Sequence, residues 1–287
     1  MKSPKDFEHL IYETKRGVAW LIWNEPERMN PFSLPRVREI EEAIGIAEDD
    51  DDAVIIAMKG QGRAFSGGAE IKPYRWGTGL EFFHSHRHYA LPMWEKIWNS
   101  KKPIVAAIHG HCIGFALETA LRCDIMIAAE GTQIGELEIQ MSSPYGNQRI
   151  GRLASEKVQM WYSLTGDLMS AEEAERRDII NKVVPSDKLD DAVYEFCDKL
   201  KRWSPTALWL NRIAIKYGMN TDEKTGWLIE AALETIQSRT DDWAEGLDAF
   251  QMKPRRTPHF TNKIPHSDHM PKARLVKEDF DGAWPSG

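Results

Sequence analysis

The chain has 287 residues, 42% apolar and 28% charged, the composition of a globular protein that buries a sizeable core as one large domain or two small ones. Its net charge of −7 argues against a general nucleic-acid binder, because phosphate contact relies on clustered Lys and Arg. Cys112, Cys123 and Cys197 are too scattered for a disulfide framework and make no Cys-x-x-Cys pair, so a reducing cytoplasm is the default setting.

The N-terminal stretch MKSPKDFEHLIYETKRG has no apolar signal region, and no later run approaches the ~20 apolar residues of a bilayer span. No membrane segment is expected. Residues 8–14 and 17–23 read as two strands around a Lys15-Arg16-Gly17 turn. A helix is expected from Ser33, its N-cap, with Pro35 in the first turn and Val37, Ile40, Ile44 and Ala47 at helical spacing. The continuous apolar runs Ala53–Met58, Ile104–Ile108 and Ile125–Ala128 predict strands covered on both faces. Strands alternating with helices imply a largely parallel sheet, and residues from about 155 to 250 read as almost entirely helical. The aperiodic, basic stretch after 250 reads as an extended tail.

Two glycine-containing bends and two carboxylates carry the chemistry. In Arg63-Ala64-Phe65-Ser66-Gly67-Gly68-Ala69-Glu70 a strand runs into a loop whose Gly67 and Gly68 can reach backbone angles closed to other residues. In the second bend the strand at 104–108 leads through Gly110 to a helix starting near Gly114, whose first N–H groups have no helical partner. Two such bends facing each other would form an oxyanion hole. Glu118 and Glu138 stand twenty positions apart, each after a glycine bend. Two carboxylates in one pocket can divide acid and base work, since burial and mutual repulsion separate their pKa values. On spacing alone Glu138, with Glu136 as its neighbour, reads as a solvated charge, and Glu118 as a charge favoured by a helix terminus.

The order of these motifs resembles the crotonase, or enoyl-CoA hydratase/isomerase, superfamily over roughly residues 8–260. The similarity rests on Asn24-Glu25-Pro26, on Asn30-Pro31-Phe32-Ser33, on the 63–70 loop and on Lys102-Pro103-Ile104-Val105-Ala106-Ala107-Ile108-His109-Gly110. Cys123-Asp124-Ile125 and Glu245-Gly246-Leu247-Asp248-Ala249-Phe250 extend it. The resemblance implies an α/β fold: a crotonase-like ββα spiral core over 1–200, a C-terminal helical trimerisation region over 201–260, and a tail over 261–287. It implies an enoyl-CoA hydratase-type lyase acting on an acyl-CoA thioester, with the N–H groups of Ala69 and Phe115 holding an enolate. Glu118 would orient or deprotonate water and Glu138 would protonate the α-carbon. It implies coenzyme A only as part of the substrate, no cofactor, no metal, and a homotrimer or hexamer. Substrate and CoA contacts are expected from Arg63, Ala64, Ser66, Gly67, Gly68, Lys72, Tyr74, Gly114, Tyr145 and Lys253. Other reactions of the superfamily, double-bond isomerisation and C–C or thioester hydrolysis, stay open, as does a non-catalytic acyl-CoA binder.

The chain departs from the superfamily pattern at three places. Phe115 replaces a usual glycine, Glu70 a usual aspartate, and Pro144-Tyr145-Gly146-Asn147-Gln148-Arg149 a common Pro-Gly-x-Gly-Gly. The segment 72–98 is rich in aromatic residues and contains His84, His86 and His88, whose spacing of two does not put three ligands on one helix face. A cyclic or bulky acyl group is the expectation drawn from that segment.

Overall fold

The computed structural model describes residues 6–71, 79–144, 146, 148–261, 263 and 264. Its strands are β1 (Leu10–Lys15), β2 (Val18–Trp23), β3 (Ile55–Gly60), β4 (Ile104–Ile108), β5 (His111–Ile113), β6 (Ile125–Ala129), β7 (Gln133–Gly135), β8 (Met169–Ser170) and β9 (Lys182–Val184). The helices are α1 (Leu34–Asp49), α2 (Gly79–Ser85), α3 (Leu91–Trp98), α4 (Phe115–Ala120), α5 (Arg149–Leu153) and α6 (Glu156–Thr165). They continue with α7 (Ala171–Arg176), α8 (Leu189–Leu200), α9 (Pro205–Gly218), α10 (Glu223–Gln237) and α11 (Asp241–Gln251). None of the described helices is long and apolar enough to cross a membrane.

β1 and β2 form the expected hairpin, with Arg16 and Gly17 both at positive φ in its two-residue turn. The main sheet runs β1-β2-β3-β4-β6-β9 and is parallel except for that hairpin. Its inner strands β2, β4 and β6 are apolar throughout because both faces are covered. Leu21, Trp23, Ile56, Met58, Ala106 and Met126 point to one core, where α1, α3 and α4 supply Ile40, Ile44, Met93, Ile97 and Leu117. Trp20, Ile22, Ile55, Ala57, Val105 and Ile127 point to the other, closed by α8 through Val193, Tyr194 and Cys197. Alternation along each strand deals successive residues to opposite cores.

Ser33 caps α1 by accepting from the Arg36 N–H at 3.4 Å, as its position predicts. Two features depart from the sequence pattern. A second sheet, β5-β7-β8, stands beside the first, and β8 and β9 interrupt the stretch read as helical. These strands are two or three residues long, too short to show alternation in a sequence.

Arg212 ties the C-terminal helices to the sheet. It is buried, its Nε donates to Asp124 Oδ2 at 2.6 Å, and its terminal nitrogens donate to the carbonyls of Ile97 (2.6 Å), Trp98 (2.9 Å) and Ser100 (2.6 Å). Asp124 Oδ2 also accepts from the Ile104 N–H at 2.7 Å, so one carboxylate joins α9 to the start of β4. Replacing Arg212 by Met strands three carbonyls and leaves Asp124 with only Lys216 and the Ile104 N–H, and is expected to cost about 3 kcal/mol in urea unfolding. An unchanged midpoint would show that the guanidinium is not the anchor.

Candidate active site

The first bend is held by backbone bonds on both sides. Phe65 N–H donates to His109 O (2.8 Å), Ser66 N–H to His111 O (3.0 Å), and Ile113 N–H returns to Ser66 O (3.2 Å). On the other side Gly67 N–H donates to Met29 O (2.8 Å), Phe32 N–H to Gly68 O (2.8 Å) and Glu70 N–H to Phe32 O (3.0 Å). Gly68 N–H is taken by Ser66 Oγ at 3.1 Å. The fully buried Asn30 braces the loop by donating to the carbonyls of Gln61 (2.8 Å) and Ala64 (2.9 Å). The Ala69 N–H has no acceptor among the described residues.

The second bend closes on the first. Gly114 N–H donates to Gly135 O (2.8 Å), and the chain turns into α4, leaving the Phe115 N–H as its first unpaired donor. A side chain on Gly68, which stands at φ +100°, would come within 2.9 Å of Ile113 O and 3.9 Å of Phe115 N. Two free donors on bends in contact can hold an anionic oxygen. The Phe115 ring turns away into the core, stacked on Trp94 (4.9 Å between centroids) and packed on Phe32 (5.3 Å).

Glu118 is buried on α4, one turn below that donor. Its Oε2 pairs with Arg122 Nη1, whose guanidinium lies 3.8 Å over the Trp94 ring. Trp94 Nε1 donates to Thr119 Oγ1 (3.0 Å), which donates to Phe115 O (2.8 Å). The second oxygen, Oε1, is buried with no donor among the described residues.

Glu138 opens a single 3₁₀ turn after β7. Its Oε1 lies 2.6 Å from where a Cβ on Gly114 would stand, so the missing side chain of Gly114 admits this carboxyl beside the second bend. Burial pushes the Glu138 pKa above its ordinary value, and the charge of Glu118 adds to the rise.

Glu136 is the residue that the sequence pattern misplaces. Far from solvated, it is 1% exposed, with neither carboxyl oxygen meeting a donor among the described residues. Its carboxyl shares the space beside Gly146 with that of Glu138: a side chain there would collide with Glu136 Oε2 and come within 3.7 Å of the Glu138 carboxyl carbon. Burial first, then the charges of Glu118 and Glu138, drive its pKa well above the usual carboxylate range. Strand alternation puts Glu136 on the same side as the buried Ile134, a signal that the sequence carries and that its polarity hides. Arg122 was legible too, at the helical i+4 spacing from Glu118.

Ala64, Ser66 and Gly68 are buried in the first bend, while Gly67 and Arg63 are exposed. Arg63 lines a cleft of about 680 Å³ with Lys59, His109 and Asp190 at the carboxyl ends of the sheet strands. Glu70 pairs with Arg28. Lys253 is exposed after α11, and no hydrogen bond or ion pair among the described residues joins it to the bends. Lys72, Tyr74 and Tyr145 lie outside the described residues. The His84 and His88 ring centroids lie 4.1 Å apart with their planes tilted by 39°, and no group of His, Cys, Asp and Glu among the described residues is arranged to hold a metal.

Residues 13–263 match the family described as Enoyl-CoA hydratase/isomerase. The chain belongs to this family. It is 30% identical over 250 residues to a protein of Rhizobium meliloti (strain 1021) named "Probable enoyl-CoA hydratase", covering 86% of this chain and 96% of that protein. It is 29% identical to the "Crotonyl-CoA hydratase" of Syntrophomonas wolfei subsp. wolfei, covering 90% and 99% of the two chains. A crystal structure of an enoyl-CoA hydratase subunit from Geobacillus kaustophilus HTA426 superimposes with a TM-score of 0.83 at 27% identity, covering 90% of this chain and 100% of that one. The chain is thus an enoyl-CoA hydratase-like enzyme on the crotonase fold.

Within this family member, Glu136 predicts a pH dependence of stability. A carboxyl whose folded pKa lies above its unfolded value binds more protons folded than unfolded, so its penalty grows as pH rises above the ordinary carboxylate range. Glu136→Gln removes the titration. The melting temperature of wild type, measured against Glu136→Gln, is therefore expected to fall progressively from about pH 4.5 upward; a pH-independent difference would refute the buried acid.

Proposed function

We propose that the enzyme adds water across the 2,3 double bond of an acyl-CoA thioester, or removes it, through an enolate held by the N–H groups of Ala69 and Phe115. One observation carries this reading: the bend that leaves Phe115 N–H free also receives the carboxyls of Glu118, from its own helix, and Glu138, packed on Gly114. The thioester oxygen gains charge as water adds to the β-carbon, and each preorganised donor is worth roughly 3 kcal/mol of barrier. Glu118, ion-paired to Arg122, offers a carboxylate that takes the water proton. Glu138, whose pKa is raised, offers the proton that the α-carbon receives. The donors and the acid/base pair thus serve the two ends of one conjugated system.

Arg63, Ala64, Ser66, Gly67, Gly68, Lys72, Tyr74, Gly114, Tyr145 and Lys253 are proposed to contact the acyl-CoA. Exposed apolar side chains on α9 and α10, among them Ile215, Trp227 and Leu228, and on Met219 just after α9, support self-association into the trimer or hexamer that the resemblance implies. The aromatic richness of 72–98, of which Trp94 backs Phe115, supports a cyclic or bulky acyl group.

A spectrophotometric assay of an unsaturated thioester tests the chemistry. Glu118→Gln and Glu138→Gln are each expected to lower kcat by about 10²-fold or more while leaving KM nearly unchanged. Full activity in both variants would sink the assignment, and release of CoA or a change in carbon count would replace hydration with hydrolysis. Side-by-side turnover of crotonyl-CoA and a thioester of a ring acid tests the acyl group. The ring substrate is expected to show the higher kcat/KM, and equal preference would remove that proposal.

A further inference from the structure

We propose that Glu136 is a proton relay between Glu118 and Glu138, holding a proton between them and passing it so that the pair returns to its starting state without bulk water. The inference rests on the hydratase reading above and goes beyond it by adding a third carboxyl to the pair.

Four carboxyl oxygens at the site are buried and meet no donor among the described residues: Glu118 Oε1, both oxygens of Glu136, and Glu138 Oε2. Acceptors alone cannot satisfy one another, and each buried polar atom left unpaired is costly. Two protons shared by three carboxyls resolve this. Glu136 O–H donates to Glu118, and Glu138 O–H donates to the other oxygen of Glu136. The closeness of Glu136 to both neighbours allows that chain. Every group facing it favours the same assignment. Arg122 keeps the fixed positive charge on the far oxygen of Glu118, Arg149 adds a second guanidinium beside Arg122 and Glu118, and the buried Cys112 thiol of β5 faces Glu136 without a charge to offer. Glu136 has no route to solvent of its own at 1% exposure.

The relay follows from the proton balance of hydration. As the C–O bond forms, water gives a proton to Glu118; as the double-bond electrons form the α C–H bond, Glu138 gives a proton to carbon. The product is neutral, but the pair is reversed: Glu118 is now the acid and Glu138 the carboxylate. Glu136 corrects this once its O–H has turned from Glu118 to Glu138: it gives its proton to Glu138 and accepts the one on Glu118 at its other oxygen. Nothing is oxidised, and no outside acid is consumed.

Two measurements on the full-length enzyme test the idea. Infrared difference spectra at neutral pH are expected to show the C=O stretch of two protonated carboxyls in wild type and in Glu136→Asp, and the loss of one of them, with the other remaining on Glu138, in Glu136→Gln. No band in wild type, or bands unaffected by Glu136→Gln, overturns the relay. In steady-state kinetics Glu136→Gln is expected to lose about 10-fold or more in kcat with KM unchanged, within the range typical of a positioned proton-transfer group. Added formate, a small carboxylic acid, should restore part of that loss, and Glu136→Asp should retain more activity than Glu136→Gln. Unchanged kcat, or a loss that neither formate nor Asp relieves, reduces Glu136 to a packing residue and overturns the proposal. Failure of the hydratase reading looks different: wild type then hydrates no enoyl-CoA while the infrared bands and the loss of one in Glu136→Gln persist.

Discussion

The site depends on one close approach, that of the Glu138 carboxyl to Gly114. At φ +53°, with only hydrogen on its α-carbon, Gly114 does two things at once. It turns β5 into α4 so that the Phe115 N–H has no helical partner, and it leaves room for a carboxyl against the same bend. A Cβ there would force Glu138 away, taking acid from donor. The electrostatic consequence is immediate. A carboxyl that leaves water to sit beside another carboxyl becomes a weaker acid, and the rise in the Glu138 pKa follows from the packing of a glycine.

That approach holds only because neither bend can relax. The first is stitched to Met29 and Phe32 on one side and to the strand 109–113 on the other, so its conformation is set by six backbone hydrogen bonds rather than by its own preferences. The second leaves a sheet covered on both faces, where Ile108 and Cys112 are fully buried. Irregular backbone carries the chemistry, and regular backbone fixes it. The same division explains why the aromatic cluster of Phe32, Phe115 and Trp94 lies where it does. It fills the volume behind the donors, and through Thr119 and Arg122 it locks the helix that carries Glu118.

Much of this was legible in the sequence, for physical reasons that differ from element to element. The β-branched runs at 54–58 and 104–108 can only be strands covered twice, and Ser33 with Pro35 can hardly be anything but a helix start. The two bends were legible from glycines at strand ends, and Glu118 and Glu138 from their order relative to those bends. What stayed hidden depends on contacts between segments distant along the chain. The second sheet is made of strands too short to show a period. Glu136 looks like surface because charge usually means solvent, and its burial is decided by Gly146, where a side chain would collide with its carboxyl. The direction of the Phe115 ring is decided by Trp94, twenty-one residues earlier.

The third carboxyl also shows how stability is set against chemistry here. Three acids gathered out of water destabilise the folded state at any pH where all would be charged, and an apolar residue at 136 would avoid the cost. In the relay proposed above, the cost is limited by keeping charge on Glu118, where Arg122 pairs with it, and protons on Glu136 and on Glu138, whose Oε2 meets no donor among the described residues. A cluster arranged in that way is already divided into a base and an acid before any substrate arrives. The asymmetry comes from a single guanidinium at the i+4 position: it reaches Glu118 along α4, and its other face is occupied by the Trp94 ring. Without Arg122 the three carboxyls would lose the paired charge that sets Glu118 apart from Glu136 and Glu138.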